Sequence, residues 1–157
     1  MSKVKYISVI GASHCDEATA GLARETGRLI AGAGAVLVCG GMGGVMEAAC
    51  RGAKSKGGST VGILPGLDAA GANSWLDLRI LTGIGHARNL AVAASGDVAI
   101  AIGGEFGTLS EIGLALKCGR TVIMLGGWEI SRDGEIPRGI VPAATPAEAV
   151  RLALVKL

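Results

Sequence analysis

The sequence predicts a single α/β domain in which a Rossmann-like parallel sheet carries helices on both faces. Half of the 157 residues are apolar, only 3% are aromatic and 27 are glycine, a composition that suits a sheet packed closely between helices. Short apolar segments also alternate with segments of helical spacing along residues 1–157. Because strands that alternate with helices pair in parallel through right-handed crossovers, one sheet covered on both faces is expected.

The predicted strands are short and apolar, and several are rich in β-branched residues, as expected of strands buried on both faces. They comprise residues 4–10, 36–39, 60–64, 76–81, 98–102 and 122–125. The predicted helices have apolar residues on one side and comprise residues 16–33, 45–56, 84–95, 109–117 and 146–155. Residues 126–142 include a tryptophan and several charged side chains, which indicates a surface excursion. The sheet is therefore expected to have six to seven strands.

Charge and cysteine spacing exclude several classes of partner. The net charge of +2 comes from 15 basic and 13 acidic residues that are scattered along the chain, so a nucleic-acid partner is not expected. The four cysteines lack metal-site spacing, and we expect them to be core residues in a reducing compartment with no metal bound. No segment has the length of a membrane span or the form of a signal peptide. A cytoplasmic protein without a membrane partner is predicted.

Two glycine-rich turns follow predicted strands at the edge of the sheet where α/β proteins bind ligands. A helix N-terminus offers free N–H groups and partial positive charge, and glycine lets an anion approach that backbone. We therefore predict that a phosphorylated small molecule binds these turns, with tight packing as the alternative reason for the glycines. The predicted binding residues are Gly40, Gly41, Gly43 and Gly44 of the first turn, Gly103, Gly104, Gly107 and Thr108 of the second, and Ser13 after the first strand.

Thr108 and Glu111 form a T-x-x-E pattern directly after the second glycine turn. This pattern is also typical of a capping box, in which the hydroxyl and the carboxylate each satisfy an N–H group at a helix start. It recurs at Thr145 and Glu148, where no glycine turn precedes it and a structural cap is the expectation. Because only the first copy lies at the ligand-binding edge, we predict that Glu111 faces a ligand, with the capping box as the alternative.

Glu111 and Arg88 are the predicted catalytic residues. A carboxylate can stabilise the oxocarbenium-like state of glycosidic cleavage at ribose and can activate water. A guanidinium can grip a phosphate through two hydrogen bonds or orient a departing base. The alternative for Arg88 is a surface arginine held in a salt bridge.

Residues 103–111, Gly-Gly-Glu-Phe-Gly-Thr-Leu-Ser-Glu, resemble the P-G-G-x-G-T-x-x-E signature of the LOG (Lonely Guy) family, which is also described as lysine decarboxylase-like. Arg88 matches the arginine of that family's R-K pair, and residues 40–46 are similar to its other glycine-rich motif. The resemblance covers residues 4 to about 125. It implies a phosphoribohydrolase that cleaves nucleoside 5′-monophosphates to free base and ribose 5-phosphate, with the arginine and the glutamate as catalytic residues.

Three residues depart from the LOG pattern: Asn89 replaces lysine, Ile102 replaces proline and Glu47 replaces a small residue. The motifs look closer to the branch that holds the molybdenum cofactor carrier proteins, which binds its ligand without obvious hydrolysis.

Two functions therefore remain open, namely a phosphoribohydrolase and a non-catalytic binder of a nucleotide or a molybdopterin-type ligand. Neither function requires a further cofactor. An NAD-dependent oxidoreductase is disfavoured because residues 11–14 lack the G-x-G-x-x-G turn. The high apolar content and the LOG resemblance predict a homodimer or homotetramer.

Overall fold

The computed structural model describes residues 4–157, which contain one seven-stranded parallel sheet in the order β4-β3-β2-β1-β5-β6-β7. The strands are β1 (Tyr6–Ile10), β2 (Val36–Cys39), β3 (Thr60–Leu64), β4 (Leu78–Leu81), β5 (Val98–Ile102), β6 (Thr121–Leu125) and β7 (Ile140–Ala143). The helices are α1 (Glu17–Gly32), α2 (Val45–Lys54), α3 (Asn89–Ser95), α4 (Phe106–Lys117) and α5 (Pro146–Val155), and a short 3-10 helix (Gly85–Arg88) leads into α3.

Helices cover both faces of the sheet. Helices α1, α2 and α5 pack together on one face, and α3 and α4 pack together on the other. Alternate residues of β5 supply the two cores, because Ile100 belongs to the α1 side and Ala101 to the α4 side. The predicted fold class is therefore confirmed. Within residues 4–157, no helix combines the length and the apolar character that a membrane span requires.

The centre of the sheet creates the crevice in which a ligand could lie. From β1 the chain builds outward to β4, and it then returns to place β5 on the other side of β1. The loops that follow β1 and β5 consequently run in opposite directions across the same edge. Such a switch point is where open α/β sheets bind their ligands.

The structure corrects two predicted elements. Residues 126–142 are not surface excursion throughout, because Ile140–Ala143 form β7 and pair with β6. Pro142 lacks the N–H of a central strand and is tolerated here because β7 is the edge of the sheet. The predicted helix at residues 84–95 is divided, since its first turn is the 3-10 helix and α3 begins only at Asn89.

The cysteines divide into two classes. Cys39 and Cys50 are buried, and their sulfur atoms lie 3.5 Å apart. Cys15 and Cys118 are exposed, so the prediction that all four are core residues is wrong for these two. Cys15 lies in the β1–α1 loop and Cys118 at the C-terminal cap of α4, where a small apolar side chain can remain at the surface.

Candidate functional site

A cavity of about 490 Å³ opens at the carboxyl edge of the sheet, beside the switch point. Its lining comes from the β1–α1 loop, the β2–α2 turn and the start of α2, the residue after β3, the 3-10 helix and the start of α3, and the cap and first turns of α4. Five of the predicted site residues line it: Ser13, Arg88, Gly107, Thr108 and Glu111. The six other predicted residues are all glycines. They lie within the part of the chain that the structure describes, but they do not line the cavity.

The start of α4 decides between the two interpretations of the T-x-x-E pattern at Thr108. The helix begins at Phe106, with Glu105 as the cap residue, so Thr108 already lies within the first turn. A residue inside the helix cannot be its N-terminal cap, and the capping-box alternative is therefore wrong for this copy. The first N–H groups of α4 have no intrahelical partner, and Gly107 and Thr108 carry two of them at the cavity.

Glu111 lies one turn further along α4 and is only 7% exposed. Burial disfavours its ionised form and raises the pKa of Glu111 to about 7, although the nearby Arg88 acts in the opposite direction. At neutral pH this carboxyl group is therefore divided between its protonated and ionised forms. It can donate or accept a proton without a large free-energy cost.

Arg88 ends the 3-10 helix and is 9% exposed, so the alternative of a surface arginine is wrong. One guanidinium nitrogen, Nη1, donates to Oδ1 of Asn89, and Nη2 donates to the carbonyl oxygen of Gly40 at 3.3 Å. Its Nε is buried and has no hydrogen-bond partner within residues 4–157. Burial lowers the pKa of Arg88, and the negative charge of Glu111 partly offsets this effect. The result is a buried cation with an unused donor.

The first glycine turn contacts protein groups that the sequence did not suggest. A Cβ atom at Gly40 would stand 2.8 Å from Nη2 of Arg88, which explains the need for glycine. The carbonyl oxygen of Gly41 accepts from the N–H of Asn73 at 2.9 Å. At the start of α2, the N–H of Val45 donates to the carbonyl oxygen of Ala12 at 3.0 Å. This turn thus accepts a hydrogen bond from Arg88 and packs against neighbouring loops.

The remaining predicted glycines shape the starts of two helices, α4 and α2. Gly103 and Gly104 both have positive φ, at 54° and 106°, a conformation that favours glycine. A Cβ at Gly104 would lie 2.4 Å from the Thr108 side chain, so glycine makes room for that threonine. Gly43 lies in the first turn, close to the carbonyl oxygen of Ser13. Gly44 is the cap residue of α2, with φ of 60°.

Sequence reasoning missed several cavity residues. Asn89 is buried, lines the cavity and contacts Arg88, and its sequence signals were its place beside that arginine and its departure from the lysine of the LOG pattern. The two histidines of the chain both line this cavity, His14 from the β1–α1 loop and His86 from the 3-10 helix. Among residues 4–157, no group of three or more His, Cys, Asp or Glu side chains could hold a metal ion.

Comparison with models of known families shows to which family the chain belongs. The model of the SLOG cluster4 family matches residues 4–150, which is almost the whole sequence. The chain belongs to the SLOG cluster4 family. One relative of this SLOG cluster4 protein is an uncharacterized protein from Archaeoglobus fulgidus, which is 47% identical over 148 residues, or 94% of this chain and 93% of the relative.

Solved structures resemble the SLOG cluster4 protein over nearly its full length. The molybdenum cofactor binding protein from the phototrophic bacterium Rippkaea orientalis is 33% identical, with a TM-score of 0.88, and the match covers 99% of this chain and 98% of that one. The molybdenum cofactor carrier protein from Chlamydomonas reinhardtii is 35% identical, with a TM-score of 0.82 and coverage of 99% and 100%. The predicted resemblance to the molybdenum cofactor carrier proteins is therefore confirmed for the structure, whereas membership of the LOG family itself is not shown.

Proposed function

We propose that this SLOG cluster4 protein binds and carries a phosphorylated ligand of the molybdopterin type without cleaving it. The main support for this proposal comes from Arg88. It is a buried cation in the wall of an open cavity, and its Nε has no hydrogen-bond partner within residues 4–157. Burying a charge is costly unless hydrogen bonds and opposite charge compensate it. An anionic ligand in the cavity would supply both.

The start of α4 provides the second half of the proposed site. In this arrangement the phosphate lies on the N–H groups of Gly107 and Thr108, where the helix dipole favours negative charge. Ser13, on the facing loop, adds a hydroxyl group. Arg88 and Glu111 then contact the polar part of the ligand, and the partly protonated Glu111 can donate to it. Gly103 and Gly104 act by shaping this helix start, and the first glycine turn acts by holding Arg88.

The relatives support a carrier over an enzyme. The protein from Rippkaea orientalis binds the molybdenum cofactor and that from Chlamydomonas reinhardtii carries it, and this chain covers almost all of both. Two of the three residues that depart from the LOG pattern are Asn89, beside Arg88, and Ile102, directly before the second glycine turn. Both departures lie within the two motifs that carry the resemblance to the LOG hydrolases, and they weaken the case for that activity.

The second candidate is a nucleoside 5′-monophosphate phosphoribohydrolase. The specific observation in its favour is Glu111, whose pKa of about 7 suits acid–base work in a cleft at neutral pH. The same carboxyl group beside Arg88 could stabilise an oxocarbenium-like state.

One experiment with two arms separates these candidates. In the first arm, the protein is mixed with molybdopterin released from a molybdoenzyme, and the pterin that coelutes on gel filtration is measured. In the second, a panel of nucleoside 5′-monophosphates is assayed for free base and ribose 5-phosphate. Retention of about one molybdopterin per chain without base release supports the carrier.

Base release would support the hydrolase if Glu111→Gln abolishes it and the matched variant Glu148→Gln does not. Failure to retain molybdopterin, with or without base release, would contradict the carrier proposal.

We further propose a homodimer or homotetramer that forms through the β4 edge. Leu78 and Ile80 lie on one face of this edge strand, Ile84 and Leu90 lie on the segment that follows, and all four are exposed. Light scattering should give a multiple of the 15.6 kDa chain mass, and Ile80→Glu should lower it. A monomer at micromolar concentration would contradict this proposal.

A further inference from the structure

Arg88 and Glu111 lie side by side in the cavity wall without touching. The Arg88 side chain is 11% exposed and that of Glu111 is 9% exposed, and Nη1 of Arg88 is 4.0 Å from Oε1 of Glu111. That distance exceeds the length of a hydrogen bond. Opposite charges attract more strongly when water is excluded, and contact would add charge-assisted hydrogen bonds. An open pair at this depth therefore requires something that holds it open.

Asn89 is placed to do this. Its Oδ1 accepts a hydrogen bond from Nη1 of Arg88, which is the same nitrogen that lies 4.0 Å from Glu111. Asn89 is itself only 8% exposed, so water competes little for this bond. On the other nitrogen, Nη2, the carbonyl oxygen of Gly40 accepts at 3.3 Å. Hydrogen bonds thus hold both terminal nitrogens of the guanidinium group.

The local backbone explains why two neighbouring side chains can meet in this way. Arg88 is the last residue of the 3-10 helix and Asn89 is the first residue of α3. Asn89 is the C-terminal cap residue of the 3-10 helix only through its backbone N–H, which donates to the carbonyl oxygens of Ala87 and His86. Its side-chain oxygen caps neither helix and accepts from Arg88. The Asn89 oxygen is therefore committed to the guanidinium.

We propose that Asn89 is a positioning residue that keeps the side chains of Arg88 and Glu111 apart. Both side chains then remain available to form hydrogen bonds with a ligand. The use of the open pair rests on the proposed function, whereas the holding of Arg88 does not. The proposal assigns Asn89 no contact with reacting atoms. It predicts that loss of the Asn89 acceptor lets Arg88 close on Glu111.

The charge environment of Glu111 makes this closure measurable. Arg88 faces it from the 3-10 helix, the thiol of Cys39 lies nearby at the end of β2, and His14, His86 and Glu105 line the same cavity. In the wild-type protein, burial raises the pKa of Glu111 and is the larger effect, while the positive charge of Arg88 lowers it. A guanidinium in direct contact would oppose burial more strongly, and the pKa of Glu111 would fall.

The test is a carbon-13 NMR titration of the glutamate side-chain carboxyl groups. The Glu111 signal is identified by its absence in Glu111→Gln. In the wild-type protein its midpoint should lie near pH 7. In Asn89→Ala, and in Asn89→Leu, which nearly keeps the side-chain volume, the midpoint should fall by about one pH unit or more. Asn89→Asp keeps an oxygen acceptor, and its midpoint should not fall below that of the wild type.

Asn73→Ala is the matched control. Asn73 is 6% exposed, and its side chain donates to the carbonyl oxygen of Met42 rather than to Arg88. This variant should lose stability and leave the Glu111 midpoint in place. An unchanged midpoint in either Asn89→Ala or Asn89→Leu, or a fall of equal size in Asn89→Asp, would overturn the proposal. Because no ligand is added, failure of the carrier proposal would appear separately, as absence of molybdopterin retention.

Discussion

The chain contains two copies of the same T-x-x-E pattern, and they fold into different structures. Thr145 caps α5, with its hydroxyl accepting from the N–H of Glu148 at 3.1 Å, while the Glu148 carboxylate accepts from the N–H of Ala144 at 2.8 Å. Thr108 instead lies inside the first turn of α4, and Glu111 lines the cavity.

The difference comes from the residues that precede each copy. Pro146 occupies the first turn of α5 and fixes the helix start directly after Thr145. Gly103 and Gly104 have positive φ and allow α4 to begin at Phe106, two residues before Thr108. A four-residue pattern therefore does not define its own role. The backbone that leads into it determines whether its polar groups cap a helix or remain available to a ligand.

The largest expected effect separates the arginines beside the two glutamates. Arg88 is buried near Glu111, whereas Arg151 is exposed and lies 3.9 Å from Glu148. Arg88→Ala should weaken molybdopterin binding by about 2–5 kcal/mol, because it removes one partner of a buried charge interaction. Arg151→Ala should leave affinity unchanged, since exposed pairs contribute little. Equilibrium titration of molybdopterin measures both, and equal losses would remove the distinction between the copies.

The next effect concerns pH. In the folded protein the pKa of Glu111 is raised from its ordinary 4.5 to about 7, so the fold favours the protonated form. The associated stability is fully present below pH 4.5 and is lost as the pH rises through 7. The free energy of unfolding should fall by about 3 kcal/mol across this window. Glu111→Gln should remove this loss, and Glu148→Gln should retain it.

Urea unfolding at intervals from pH 4 to 8 provides the measurement. The quantity to compare is the difference between each variant and the wild type, because other groups titrate in the same range. A Glu111→Gln protein that loses as much stability as the wild type would show that burial does not penalise this carboxylate.

The smallest effect distinguishes the two threonines. Thr145→Val removes a cap and should lower the free energy of unfolding by about 1 kcal/mol, with no change in ligand affinity. Thr108→Val removes a hydroxyl that does not cap α4 and that we expect to donate to the ligand phosphate. It should therefore weaken molybdopterin binding by about 1.5–3 kcal/mol. Thermal unfolding and the same ligand titration give the two values. The reverse pattern would mean that Thr108 is structural.

The fold was accessible from the sequence where apolar patterns were long and uninterrupted. Residues 98–102 are apolar throughout, and the structure buries all five in β5. The strand β7 was missed because Pro142 interrupts a short segment, and the sequence alone does not show that an edge position tolerates it. The start of α4 was placed at residue 109 instead of Phe106, because Gly107 is a weak helix former.

The candidate site was accessible only in part. Motif spacing indicated Arg88, Glu111 and Thr108, and the structure brings all three to one cavity. The contact of Gly40 with Arg88 joins residues 48 positions apart, and no local pattern encodes such a pairing. The role of Asn89 depends on the guanidinium position, which in turn depends on that contact.

The proposed site at the start of α4 is tested most directly by amide NMR of the nitrogen-15 labelled protein during titration with molybdopterin. The largest saturable shifts should occur at the amides of Gly107 and Thr108 and at the Arg88 side chain, while the amide signals of Thr145 and Glu148 should not shift. Saturable shifts confined to the second cavity of about 650 Å³, lined by residues that include Trp128 and Ile136, would contradict the proposed site.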